Sequence, residues 1–182
     1  MQFDGLEIEG AFVITPEPAA DERGDFARLF CAREFADRGL VDRFLQISVS
    51  RSTRRGTVRG LHFQAAPFCE TKVVRCTRGA VFDVVVDLRP GSATVGQWAA
   101  TELSAAARNA MYVPAGCAHG FQTLAGDCEV EYLITPEYVP SAARGIRWDD
   151  PSLAIVWPIK EGVTISARDR QLPVFDSVAL EC

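Results

Sequence analysis

Ala80-Val81-Phe82-Asp83-Val84-Val85-Val86-Asp87-Leu88 is dominated by β-branched and aromatic residues, which fit a pleated, half-buried surface and lose side-chain freedom in a helix. It reads as a strand. A Thr77-Arg78-Gly79 turn separates it from Val73-Val74-Arg75-Cys76, and Arg89-Pro90-Gly91-Ser92 closes its far end, so the centre of the chain is strand, turn, strand. Outward from this unit the signature recurs in Gly96–Leu103, Ala110–Val113, Gly120–Leu124 and Cys128–Thr135, each bounded by Gly, Pro or Asp. Strands at this spacing predict a sandwich or barrel. Helix is scarce: Ala32–Leu40, ended near Gly39, is the best candidate, and Ser104–Arg108 has room for one turn. That scarcity argues against alternating βαβ units.

The 182 residues are 48% hydrophobic and 24% charged, a balance that supports a buried core and excludes a disordered chain. No repeat or linker-like stretch divides them, so residues 1–182 are expected to form one domain. No apolar run approaches the roughly 20 residues of a membrane helix, and Met1-Gln2-Phe3-Asp4-Gly5 has neither the basic nor the apolar region of a leader. A cytoplasmic location without membrane attachment is the expectation. Cys31, Cys69, Cys76, Cys117, Cys128 and Cys182 are scattered without metal-type spacing, and free thiols are expected. The net charge of −5 gives no pull toward nucleic acid. Between Arg51 and Arg59, however, four arginines fall in nine residues: a solvated loop, or an anion site for a phosphorylated ligand.

Along Phe82–Asp87 the side chains alternate, so Asp83, Val85 and Asp87 share one face. That face looks either into a polar cavity or into water. The only histidines are His62 and His119. No His-x-His or Cys-x-x-Cys pair supplies a metal site, and no glycine-rich phosphate loop is present. Acid–base chemistry on a small anionic ligand remains, with His62, His119, Lys72, Tyr132 and several carboxylates able to perform it.

Longer motifs sharpen this. Arg59-Gly60-Leu61-His62-Phe63-Gln64, Lys72-Val73-Val74-Arg75 and Val81–Arg89, followed by Tyr112-Val113-Pro114-Ala115-Gly116-Cys117-Ala118-His119-Gly120-Phe121, Tyr138-Val139-Pro140 and Gly145–Pro151, resemble the dTDP-4-dehydrorhamnose 3,5-epimerase family. The match is colinear from about Gly5 to Pro173. The resemblance implies an all-β, cupin-type jelly roll with short peripheral helices, no metal and no cofactor. It also implies a homodimer in which N-terminal residues of one subunit help complete the neighbour's site. The implied reaction is isomerisation: epimerisation at C3 and C5 of a nucleoside-diphospho-4-keto-6-deoxyhexose in deoxysugar biosynthesis, of the type that converts dTDP-4-dehydro-6-deoxy-D-glucose to dTDP-4-dehydro-L-rhamnose.

The resemblance also assigns roles. His62 matches the base, and imidazole, whose ordinary pKa is about 6.5, suits that task near neutral pH. Asp169 matches the carboxylate that orients it, a residue otherwise read as a surface Asp in a C-terminal turn. Lys72 matches the cation beside the C4 oxygen, and Tyr132 the acid on the opposite face. His119 and Asp83 match a supporting pair. Arg59 and Arg23 match phosphate ligands, Phe26 a wall beside the base, and Gln46, Tyr138 and Arg168 further substrate contacts.

Three positions depart from the family's pattern. Arg28 stands where Glu is common, and Ser48 where Asn is usual, both on the nucleotide side. A carboxylate accepts from the N3–H of thymine whereas arginine only donates, which points to a base other than thymine, cytosine being the leading substitute. Glu70 replaces the usual Gln before Lys72; it either weakens the positive field at the sugar or pairs with the lysine. An epimerase acting at C3 or C5 alone is the alternative within the family, and a non-catalytic sugar-nucleotide binder the alternative outside it.

Overall fold

In the computed structural model, which describes residues 1–177, the chain folds as strands β1 (Gln2–Gly5), β2 (Phe12–Thr15), β3 (Ala19–Asp21), β4 (Gly24–Phe26), β5 (Gln46–Ser52), β6 (Val58–Gln64), β7 (Thr71–Arg78), β8 (Ala80–Asp87), β9 (Trp98–Ser104), β10 (Ala110–Val113), β11 (Cys117–Thr123), β12 (Cys128–Thr135) and β13 (Ala143–Gly145). Helices α1 (Ala32–Ala36) and α2 (Ala167–Arg170) are short. A six-stranded sheet runs β1-β2-β10-β7-β12-β5 and a five-stranded sheet β13-β6-β11-β8-β9, while β3 and β4 pair as a hairpin apart from both. All these strand pairs are antiparallel. The arrangement is a cupin-type jelly roll, as expected. Among the described residues no helix is long and apolar enough to cross a membrane.

Strand alternation creates three apolar layers. Val74 and Cys76 of β7, Met111 and Val113 of β10 and Val130 of β12 meet Val81 and Val85 of β8, Leu103 of β9 and Phe121 of β11 between the sheets. The outer face of the five-stranded sheet, with Leu61, Val84 and Val86, is covered by Ile146, Leu153 and Trp157. On the outer face of the six-stranded sheet, Val73, Ala110 and Tyr112 are covered by Phe35 of α1, with Phe3, Phe30 and Phe44 packed alongside. One side of each sheet is thus sealed by chain segments outside it, which leaves the inter-sheet space as the place for a cavity.

Several boundaries shift from the expectation. β12 spans the residues expected of it, whereas β11 begins at Cys117 and β9 at Trp98. The helix expected over Ala32–Leu40 ends at Ala36, and Gly39 takes a left-handed φ of 69° that terminates it as glycine readily does. Ser104–Arg108 makes one hydrogen-bonded turn, with Arg108 N–H to Ser104 C=O at 2.9 Å. Cys31, Cys76, Cys117 and Cys128 are free thiols as expected, but Cys69 is disulfide-bonded, which corrects that reading. Pairing is decided by proximity in space, which linear spacing does not encode. Cys182 lies outside the described residues.

Candidate active site

A cavity of about 710 Å³ is lined by His62 and His119 from the five-stranded sheet, by Lys72 and Tyr132 from the six-stranded one, and by Glu70 just before β7. Arg59, Ser48, Tyr138, Arg168 and Asp169 line it too.

Arg59 and His62 are three residues apart, a spacing that puts side chains on opposite faces of a regular strand. Both nevertheless face the cavity. The cause is a bulge in β6: His62 pairs with His119, but Arg59 pairs with Phe121, so Gly60 and Leu61 together oppose Gly120. Gly60 adopts a φ of 121°, and a Cβ there would lie 2.6 Å from the Gly120 Cα and 2.8 Å from the His119 carbonyl oxygen. Only glycine fits this crossing.

Two histidine–carboxylate pairs result. His62 Nε2 lies 2.9 Å from Asp169 Oδ1, while Asp169 Oδ2 accepts from Gly60 N–H at 3.3 Å. Ser166 caps α2 by accepting from Asp169 N–H at 3.0 Å, which fixes the carboxylate's starting point. Burial opposes ionisation of Asp169, but the bonds from His62, Gly60 and Ser166 outweigh it and hold the carboxyl below its ordinary range. In the second pair His119 Nε2 lies 2.9 Å from Asp83 Oδ1, and Asp83 Oδ2 is buried without a partner. The His62 side chain is 42% exposed and that of His119 4%, so His62 is the more open of the two to a substrate.

Across the cavity, the Tyr132 ring stands edge-on to His119 with centroids 6.1 Å apart, and its hydroxyl lies 3.1 Å from Ser50 Oγ. Burial pushes the phenol well above its ordinary range, so it stays protonated. Lys72 Nζ lies 2.7 Å from Glu70 Oε1 and donates to the His62 carbonyl at 3.3 Å. It is buried, not the exposed strand lysine that β7 alone would suggest. Arg59 is fixed by Nε to Ser52 Oγ at 3.1 Å and Nη2 to the Arg51 carbonyl at 2.9 Å. Arg51, by contrast, pairs with Asp127 on the surface. The arginine cluster therefore divides into one cavity residue and solvated neighbours.

Some expected residues lie elsewhere in the chain. Arg23 pairs with Asp21, Phe26 is 77% exposed on β4, and Arg28 donates to Glu34 at 3.3 Å; none of the three lines the cavity. Gln46 does not line it either, but its Oε1 accepts from the N–H of the lining residue Tyr138 at 2.6 Å. The shared face of β8 resolves unequally: Asp83 serves His119, whereas Asp87 is held by Arg89, Ser92 and Thr94 in a turn. Sequence reading missed Ser50, Ser166 and Arg144. Ser50 shares the alternation of Ser48, and Ser166-Ala167-Arg168-Asp169 has the spacing of a helix cap, but Arg144 carries no such signal. Cys117, two residues from His119, has its thiol pushed up to about 12 by burial, which removes it as a nucleophile.

The arrangement offers a reachable imidazole held by a carboxylate on one wall, and a protonated phenol and an ammonium on the other. The family described as dTDP-4-dehydrorhamnose 3,5-epimerase matches residues 5–177. The chain is 45% identical over 177 residues to a dTDP-4-dehydrorhamnose 3,5-epimerase of Sinorhizobium fredii, covering 95% of this chain and 89% of that protein. It is 44% identical over 171 residues to a dTDP-4-dehydrorhamnose 3-epimerase of Streptomyces niveus, covering 93% and 82%. Its fold superposes with a TM-score of 0.92, at 36% identity and over 99% and 95% of the two chains, on a crystal structure of dTDP-6-deoxy-D-glucose-3,5-epimerase from Legionella pneumophila in complex with dTDP-4-keto-L-rhamnose.

Proposed function

The chain belongs to the dTDP-4-dehydrorhamnose 3,5-epimerase family, and from that premise we propose that it inverts C3 and C5 of a dTDP-linked 4-keto-6-deoxyhexose by proton transfer between two walls of its cavity. It is an isomerase of deoxysugar biosynthesis. A ketone at C4 acidifies the protons at both neighbouring carbons, because each carbanion becomes an enolate. His62 removes the proton, and Asp169 orients the ring and stabilises the imidazolium that forms. Lys72 donates to the C4 oxygen, where charge develops. One preorganised donor of this kind contributes on the order of 3 kcal/mol to the barrier.

Returning a proton from the same side would restore the starting centre, so inversion needs a donor opposite the base. Tyr132 fills that role. The observation that carries the reading is the placement of His62 and Tyr132 on facing sheets of one cavity. His119 and Asp83 support the site from beside the base, and Arg59 and Arg168 bind the diphosphate. Ser48, Gln46 and Tyr138 form the nucleotide end.

The same reading makes the enzyme a homodimer of one-domain subunits. Arg23, Phe26 and Arg28 lie outside their own chain's cavity, so they contribute to the partner's. Ile47 and Val49, 71% and 64% exposed on the open edge strand β5, are apolar surface available to that contact. A single-centre epimerase is the second reading, favoured by the 44% identity to the 3-epimerase. NMR of the dTDP-linked 4-keto sugar turned over in deuterium oxide separates them: label at C3 and C5 with inversion at both is expected. Label at one centre gives the second reading, and label at neither sinks the proposal.

A further inference from the structure

Glu70 lines the cavity but takes no part in the proton transfers described above. It stands one residue before β7 and two before Lys72, so both side chains project to the same inner face. Their exposures are 7% and 6%, and Glu70 Oε1 lies 2.7 Å from Lys72 Nζ. An ammonium has three donors. Glu70 holds this one as an ion pair, and it donates to the His62 carbonyl at 3.3 Å, its one hydrogen bond among the described residues. The ion pair and the bond together confine the ammonium, and the bond ties it to the strand that carries the base.

A carboxylate beside a forming enolate opposes the charge that Lys72 is there to stabilise. Its presence is understandable if it sets the position of the ammonium, because a four-carbon side chain bound through one donor alone samples several directions. We propose that Glu70 is a positioning residue that acts through Lys72, aiming an N–H of its ammonium at the substrate oxygen that becomes the enolate. The proposal rests on the epimerase reading and goes beyond it in naming what orients the cation.

The test uses the intact enzyme and the dTDP-linked 4-keto sugar. E70Q keeps an acceptor oxygen at the same reach without its charge; E70D keeps the charge and withdraws the acceptor by one methylene. E70Q is expected to retain at least about a third of kcat, and E70D to lose about tenfold or more with KM changed less than about threefold. In a K72M background the Glu70 substitutions are expected to have no further effect, the signature of a residue acting through its partner. Losses that multiply in the double variants overturn the inference, as does E70D at full activity or E70Q falling as far as E70D. K72M at full activity instead sinks the epimerase reading itself, so the two failures are distinguishable. Circular dichroism and thermal melts establish that each variant folds.

Discussion

His62 and His119 face each other in register on β6 and β11, yet a carboxylate reaches each from a different part of the chain: Asp169 of α2 for the first, Asp83 of β8 for the second. The pairs are chemically alike and differ in access. His62→Ala is expected to abolish deuterium wash-in at C3 and C5, a loss of at least about a hundredfold, while binding of dTDP persists. Isothermal titration alongside the exchange assay checks this, and exchange surviving in the variant would remove His62 as the base.

Asp169→Asn tests the orienting group and carries a pH signature. The folded carboxyl titrates below its ordinary range, so its ionised form stabilises the fold. That contribution is present above the unfolded value of about 4 and is lost as pH falls through the folded value. The melting temperature of the wild type is expected to exceed that of the variant at neutral pH, with the gap closing only below about pH 4. Activity at neutral pH should drop by about two orders of magnitude or more, since amide cannot stabilise the imidazolium. A gap that stays constant down to pH 2 contradicts the assignment.

Tyr132→Phe separates abstraction from inversion. Without the phenol, His62 still removes a proton and can return a deuteron to the same face. Label should therefore enter the substrate while the epimerised product falls by about a hundredfold or more. Equal loss of label and product would place Tyr132 in the first step rather than the second.

The legible parts of this molecule are those whose local chemistry agrees with their environment. β8 and β12 are rich in β-branched and aromatic residues and were readable from composition. β5 hides because its polar Ser48 and Ser50 line the cavity while its apolar Ile47 and Val49 are largely exposed, so its alternation mimics an inverted strand. β6 hides because its bulge breaks the two-residue period at Gly60. Alternation placed Asp83 correctly beside Val85, but whether that face met water or a cavity depended on the opposing sheet. The His62–Asp169 contact spans 107 positions, and only the family resemblance anticipated it.

The bulge itself is open to test. Gly60→Ala would place a methyl 2.6 Å from the Gly120 Cα at a φ of 121°, both of them backbone constraints with little freedom to relax. A destabilisation on the order of 1–3 kcal/mol is expected, together with displacement of His62 from Asp169. Thermal melts and kcat measure the two effects, and a fully active, equally stable variant would refute the packing argument.

The base of the nucleotide provides the last test. Two positions argued against thymine, Arg28 and Ser48, but they do not stand alike in the structure. Ser48 lines the cavity, whereas Arg28 donates to Glu34 at 3.3 Å and lies outside it within its own chain. A guanidinium already committed to a carboxylate has less call to donate to a base, which weakens the case for cytosine. Tighter binding of dTDP than of CDP, by about tenfold or more, is therefore expected in side-by-side calorimetric titrations. Because Arg28 contributes to the partner subunit's cavity, Arg28→Glu, which supplies an acceptor for the thymine N3–H, is expected to shift the preference further toward dTDP. Clearly tighter CDP binding by the wild type would reverse the assignment and make Ser48 the residue to examine next.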